Sequence, residues 1–114
     1  MSQQAGALGT ATKRLAEVTQ ALWSAGDPNV TLANASVYLE AFGHVVVAWI
    51  WLEQALLAQA ALPRANGKED EDFYRGKLAA AAYFFRWELP KVGPQLALLE
   101  SLDRTTLDMQ NAWF

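Results

Sequence analysis

The sequence predicts an all-α fold: an antiparallel bundle of about four helices with a long central helix and a docked C-terminal tail. Apolar residues recur at three- and four-residue steps through most of the chain, and proline or glycine interrupts that pattern at a few short turns. With 114 residues, 53% of them hydrophobic, the chain is long enough to bury one core of its own. We therefore treat 1–114 as a single helical domain.

The first helix is predicted over about Leu8–Ser24. Its apolar residues form one narrow stripe, because they lie three or four positions apart: Leu8, Ala11, Leu15, Val18 and Leu22. Gly26-Asp27-Pro28 then ends this helix and begins the next, since aspartate caps a helix N-terminus and proline fits the first helical position.

The central helix is predicted as one element over 28–62, ended by Pro63. At about 100° per residue, one broad apolar face contains Leu32, Ala35, Leu39, Phe42, Val46, Trp49, Ile50, Leu56, Leu57 and Ala60. The opposite side is also largely apolar, with Val47, Trp51 and Ala58 beside Glu40 and His44. A helix that is apolar nearly all round is buried on more than one side, so this pattern predicts two contact surfaces.

The third helix is predicted from the acidic run Glu69–Asp72 to about Leu89. Its buried face contains Tyr74, Leu78, Ala81, Phe84, Phe85 and Leu89. Negative charge is favoured at a helix N-terminus, which explains the acidic run better than a cation site does. Pro90 ends or bends this helix, and a short fourth helix is predicted over about Gln95–Leu102. The tail 103–114 has no helical period, but its terminal aromatic residues predict that it docks on the bundle.

Composition excludes several kinds of chemistry. The chain has no cysteine and one histidine, which excludes disulfides and thiolate metal sites. A net charge of −3 without a basic run argues against a nucleic-acid partner. The longest near-apolar run, Ala41–Leu52, is shorter than the roughly 20 residues of a membrane helix, and Met1–Gly9 is not a secretory signal. We therefore predict a cytoplasmic protein without a membrane span.

His44 and Glu40 lie four residues apart on the central helix, the spacing of an oriented general base or of half a metal site. No second histidine, no cysteine and no suitably placed serine completes such a site, so a surface or interface pair is the better interpretation. Nucleotide-binding glycine motifs and the nucleophile elbow are also missing. The sequence predicts no catalytic, cofactor-binding or metal-binding residue in this chain.

Six aromatic or aliphatic residues are predicted interface residues, because they lie off the predicted core faces or in the tail: Val47, Trp51, Tyr83, Trp87, Trp113 and Phe114. Glu53 and Lys77 each lie within an apolar face. If the second and third helices fold back about a turn near 65–66, these two residues reach the same level, so we predict a buried ion pair between them.

Several separated segments resemble, in order, the extra C-terminal domain of a long subfamily of bacterial acyl-CoA dehydrogenases that includes the methylmercaptopropionyl-CoA dehydrogenases. These segments are Tyr38-Leu-Glu-Ala-Phe-Gly-His44, Trp51-Leu-Glu-Gln-Ala55, Phe73-Tyr-Arg-Gly-Lys-Leu-Ala-Ala-Ala81, Tyr83-Phe-Phe85, Glu88-Leu-Pro-Lys91 and the tail Ser101–Phe114.

The resemblance implies a helical appendage to a FAD enzyme. The core domains that would precede it remove a proton and a hydride across the α,β bond of an acyl-CoA, and none of their catalytic residues maps onto these positions. The expected role is an accessory domain for packing or oligomerisation, with the dehydrogenase core, a second copy, or both as partners. The alternative is a stand-alone helical interaction or dimerisation module without enzymatic activity.

Overall fold

The computed structural model describes residues 1–114 and contains helices but no strand. Six α-helices follow one another: α1 (Ser2–Trp23), α2 (Pro28–Leu32), α3 (Ala35–Ala61), α4 (Lys68–Tyr83), α5 (Val92–Glu100) and α6 (Thr105–Asp108). Short 3₁₀ turns cover Leu62–Arg64, Leu89–Lys91 and Asn111–Trp113, and a π-helical turn covers Phe84–Glu88. The predicted all-α bundle with a long central helix is confirmed.

Helix α1 begins earlier than predicted, but its buried stripe is the predicted one. Ala11, Leu15, Val18 and Leu22 are buried, and Leu8 packs against them at the edge of the core. The turn after α1 needs Gly26, because its φ of 76° lies in the left-handed region that glycine adopts without steric strain.

The turn into the central segment is fixed by side-chain hydrogen bonds. The Asp27 carboxylate accepts a hydrogen bond of 2.9 Å from the Asn29 N–H and so caps α2 as predicted. Further on, the hydroxyl groups of Thr19 and Tyr38 lie 2.7 Å apart, which joins α1 to the start of α3. The two helices therefore lie side by side in opposite directions.

The central segment is not one helix, because it breaks between α2 and α3. Asn34 has a φ of −121° and a ψ of 39°, outside the helical region. Its side-chain amide donates a 3.0 Å hydrogen bond to the Asp103 carbonyl, and the Thr106 hydroxyl donates one of 3.1 Å to the Ala33 carbonyl. The break is thus stabilised by the tail, whose first half docks there.

The broad apolar face predicted for the central helix is not the face that the chain buries. The buried residues of α3 are mostly small: Ala41, Val45, Ala48, Leu52, Ala55 and Ala58. The large residues of the predicted face are instead exposed, with 71% of Leu39, 53% of Trp49 and 71% of Leu57 accessible to solvent. Short side chains let α1 and α4 approach α3 closely, and dispersion contacts strengthen at that distance.

Helix α4 buries the predicted face and then changes its winding. Ala81, Phe85 and Leu89 are buried, whereas Tyr74, Leu78 and Phe84 are half-buried. Pro90 lacks an N–H, and its ring would clash with the carbonyl four residues earlier in a regular helix. The π-helical and 3₁₀ turns before α5 avoid that clash and bend the chain back onto α1 and α3.

The molecule is long and thin, with a radius of gyration of 18.8 Å and dimensions of 64 × 30 × 17 Å. A compact domain of 100 residues has a radius of gyration of about 13 Å. The main core joins α1, the first half of α3, the π-helical turn and α5. The last turns of α3 and the first turns of α4 extend beyond that core as a two-helix hairpin.

By length and composition alone, the stretch Ala35–Arg64 is long and apolar enough to cross a membrane. An 18-residue stretch within it has a mean hydropathy of 1.6, and 28% of that stretch is buried. One such helix is weak evidence, because the core helix of a water-soluble bundle meets the same criteria. The absence of a membrane span therefore stays a prediction.

Candidate interaction surface

The surface with the strongest functional signal is the outer face of α3, on the side opposite its buried alanines. One edge of this face borders α1 and the other borders α4. We define it by Leu39, Phe42, Val46, Trp49, Ile50 and Leu57, which recur at three- and four-residue steps. Apart from half-buried Val46, each exposes at least 42% of its surface. A large contiguous apolar patch on a soluble chain indicates a contact surface.

Glu53 is the charged residue within this outer face. It is exposed and takes part in none of the ion pairs of the chain. Covering an isolated carboxylate without a partner costs several kcal/mol, or roughly 3–5 when a buried pair loses one member. A surface that covers the outer face must therefore either leave Glu53 at its rim or offer it a cation.

The predicted buried ion pair between Glu53 and Lys77 is wrong. Glu53 is exposed and Lys77 is half-buried, and no ion pair joins them. The Lys77 ammonium instead lies 5.7 Å from the ring centre of Trp51 and 5.4 Å from that of Phe73. The prediction placed Glu53 on the face of α3 toward α4, but alanines occupy that face and Glu53 lies on the outer one.

Five of the six predicted interface residues are exposed: Val47 (39%), Tyr83 (63%), Trp87 (58%), Trp113 (61%) and Phe114 (92%). Trp51 differs, because it is half-buried against the core. The end of the tail therefore does not pack on the bundle, although its first half does.

His44 contacts a partner that the sequence did not indicate. Its Nδ1 lies 3.0 Å from the backbone carbonyl oxygen of Glu40, and its Nε2 lies 3.3 Å from a carboxylate oxygen of Glu88. The Glu88 carboxylate also accepts two hydrogen bonds of 3.1 Å from Lys91. Lys91 first and His44 second lower the pKa of Glu88. This cluster joins α3 to the π-helical turn, so its geometry indicates a structural link.

A second charged contact joins α1 to α5. The Arg14 guanidinium on α1 pairs with the Glu100 carboxylate at the end of α5. The hydrogen bond from Arg14 lowers the pKa of Glu100, and the same bond raises the pKa of Arg14. Neither residue was singled out in the sequence, because an interaction across 86 positions leaves no local pattern.

The acidic run at the start of α4 consists of local contacts. The Asp70 carboxylate accepts a 3.2 Å hydrogen bond from the Asn66 N–H, while Glu71 pairs with Arg75 and Asp72 with Lys68. Three acidic residues occupy the first turn of α4, where the helix dipole favours negative charge. These contacts agree with the interpretation that the acidic run stabilises the N-terminus of α4 through the helix dipole.

Residues 1–110 match the family described as acetyl-CoA dehydrogenase C-terminal like. The chain belongs to this family. The match extends from α1 through the start of the tail and leaves Asn111–Phe114 outside. The resemblance carried by the central, third-helix and tail segments is thereby confirmed.

Two curated relatives carry acyl-CoA dehydrogenase names. Over 77 residues the chain is 30% identical to the broad-specificity linear acyl-CoA dehydrogenase FadE5 of Mycobacterium tuberculosis, covering 68% of this chain and 13% of that protein. Over 97 residues it is 29% identical to the butyryl-CoA dehydrogenase of Syntrophomonas wolfei, covering 84% of this chain and 16% of that protein. The chain thus corresponds to a small part of either relative.

Proposed function

We propose that the chain is the accessory C-terminal domain of an acyl-CoA dehydrogenase-type flavoenzyme. In this role it packs against the other domains of the enzyme and takes no part in the chemistry. Family membership over residues 1–110 supports this proposal. The observation that carries the packing role is the outer face of α3, a row of large apolar side chains that the chain leaves exposed. The partner is the dehydrogenase core.

The chemistry of this proposal belongs to domains outside the chain. The chain contains no glycine-rich turn between a strand and a helix, the device by which Rossmann-type domains hold a dinucleotide, so it offers no FAD site of that type. When bound to the proposed core, FAD accepts the hydride from an acyl-CoA. The role of this chain is to cover and stabilise that core.

The outer face can supply substantial docking energy. Full burial of a Leu, Ile, Phe or Val side chain is worth about 1.5–3 kcal/mol, and the outer face contains six large apolar residues that are only partly buried. Docking also orders both surfaces and removes rotational freedom, so only a fraction of this energy remains as affinity. That fraction is sufficient for a domain tethered to its partner, since a linker raises the effective concentration.

A stand-alone dimerisation module is the second candidate, because the same outer face could pack against a second copy. Parallel pairing would place the Glu53 carboxylates of the two copies at the same level, and like charges at a contact are unfavourable. Antiparallel pairing about the middle of α3 avoids this repulsion. Sedimentation of the purified chain separates the candidates, since a stable dimer at low micromolar concentration favours the second.

The decisive experiment expresses the complete natural reading frame that contains these residues. We expect a yellow protein that binds FAD and whose flavin is reduced by an acyl-CoA. The 114-residue chain alone should not bind FAD stoichiometrically. A full-length product without flavin, or a flavin-loaded preparation of the chain alone, would overturn the proposal.

The packing role is tested in the same full-length protein with the substitution Ile50→Gln on the outer face. We expect it to lower the melting temperature of the full-length enzyme and to speed proteolytic release of the C-terminal domain. The matched control is Gln59→Glu, at an exposed polar position of α3 outside the outer face. Equal behaviour of the two variants would exclude the outer face as the docking surface.

A further inference from the structure

The free end of the α3–α4 hairpin contains a cleft that the packing role does not explain. The cleft has a volume of about 550 Å³ and lies between the last turns of α3 and the first turns of α4. Ala58, Ala60 and Ala61 line it beside Leu57 and Phe73. Small-molecule sites typically measure about 300–1,000 Å³ and combine an apolar lining with a few polar groups.

The polar side chains of this cleft can all donate a hydrogen bond, and none of them forms a side-chain hydrogen bond or an ion pair within the chain. Gln54, Arg64, Tyr74 and Lys77 line it, and no acidic residue does. The side-chain hydrogen bonds and ion pairs near the hairpin end involve other residues, such as Lys68 with Asp72 and Arg75 with Glu71. Four side chains that can donate hydrogen bonds, two of them cationic, beside an apolar lining are suited to an acceptor-rich, negatively charged ligand.

The cleft contains two of the cations that form no ion pair within the chain. Of nine Lys and Arg residues, five form ion pairs: Arg14, Lys68, Arg75, Lys91 and Arg104. Nine minus five leaves four unpaired cations, and two of them, Arg64 and Lys77, line this one cleft. The neighbouring acidic run forms no ion pair with them: Asp70, Glu71 and Asp72 are bonded elsewhere, and Glu69 takes part in no ion pair.

Lys77 is positioned for a ligand at the edge of the cleft. Its ammonium lies over the rings of Trp51 and Phe73, at 5.7 and 5.4 Å from their centres. Such cation–π contacts orient an ammonium group but leave its hydrogen-bond donors free for an anion. The rings therefore hold a half-buried cation next to an apolar lining.

We propose that this cleft binds an amphipathic anion, meaning a carboxylate or phosphate head group carried on an apolar body. Lys77 and Arg64 bind the head group, and the Gln54 amide and Tyr74 hydroxyl donate further hydrogen bonds to it. The apolar body lies along the alanines between Leu57 and Phe73. A fatty acid and an alkyl phosphate present this same chemistry.

Calorimetry and amide NMR on the purified chain test the proposal with four probes. Decanoate and decyl phosphate carry both head group and body, whereas decanol lacks the charge and inorganic phosphate lacks the body. We expect saturable binding of at least one of the first two, at least tenfold tighter than either control, with shift changes centred on the cleft. The better of the two identifies the head group.

Variants then assign the binding to the cleft. We expect Lys77→Gln and Arg64→Gln each to weaken binding about tenfold, the loss of a charged hydrogen bond. Ala61→Phe, which fills the cleft without changing charge, should abolish binding. Lys13→Gln removes an exposed, unpaired cation on α1 and should leave affinity unchanged. Absence of saturable binding, equal binding of decanol, or equal losses in Lys77→Gln and Lys13→Gln would each overturn the proposal.

Discussion

Replacing a leucine by alanine on each side of α3 tests directly which side of this helix is buried. The structure buries the side opposite to the one that the sequence predicts. Leu52 is 9% exposed within the core, whereas Leu39 is 71% exposed on the outer face. We compare Leu52→Ala with Leu39→Ala in the isolated chain. The apolar pattern of the sequence places Leu39 in the core and therefore predicts a large loss of stability for Leu39→Ala. The structure predicts a small loss for Leu39→Ala and a large one for Leu52→Ala.

The magnitudes follow from burial. Leu52→Ala removes a buried side chain and leaves a cavity, which costs about 2–5 kcal/mol of unfolding free energy. Leu39 is 71% exposed, so 29% of its surface is covered. Because full burial is worth about 1.5–3 kcal/mol, Leu39→Ala should cost about 0.4–0.9 kcal/mol. The higher helix propensity of alanine offsets part of that loss.

A third substitution tests the close approach of the helices. Ala48 has no exposed surface, so Ala48→Leu must displace a neighbouring helix. Overpacking of this kind costs about 1–3 kcal/mol. Urea unfolding followed by far-UV circular dichroism measures all three variants, with an unchanged m-value as the sign that they unfold in the same way. A loss of more than about 2 kcal/mol in Leu39→Ala, or a more stable Ala48→Leu, would refute the assignment of faces.

The other expectations concern charge and membranes. The pKa of Glu100 is lowered by Arg14, so the contribution of Glu100 to stability is complete above the ordinary carboxyl pKa of about 4.3. It is lost as the pH falls through the lowered pKa. Glu100→Gln should therefore flatten the acid dependence of the melting temperature, and an unaltered dependence would contradict this. The pKa of Glu88 is lowered mainly by Lys91, so NMR titration should show a larger rise in the Glu88 pKa for Lys91→Gln than for His44→Gln, and the reverse order would contradict the geometry. We expect the chain to stay unbound in flotation with neutral and anionic vesicles, because Glu53 interrupts the outer face; flotation with the vesicles would make that face a membrane contact.

Elements with a single apolar stripe could be predicted from the sequence. In α1 only one face is apolar, so spacing alone identified Leu15 and Val18 as core residues. In the third predicted helix the inner face was also identified, since Ala81 and Phe85 are buried there. For such helices, periodicity determines which side is buried.

The central helix could not be predicted in this way, because both of its sides are apolar. Hydrophobic periodicity gives large side chains the greatest weight, and it therefore selected the side of Leu39 and Trp49. The chain instead buries the side of Ala41 and Ala48, where α1 and α4 can approach closely. The break at Asn34 also could not be predicted from the neighbouring residues, since the tail residue that hydrogen-bonds to Asn34 lies 69 positions away.

The two sides of α3 differ in what they contact: one side packs within the domain, and the other is left open to a partner. The alanine side holds the domain together, but small side chains bury little apolar area, and stability rises with buried area at roughly 25 cal/mol per Å². The large side chains that would stabilise the domain most are on the outer face. The isolated chain should therefore be only marginally stable, and covering its outer face should stabilise it in proportion to the affinity of the partner. Under the proposed function, folding of the domain and its docking are then coupled.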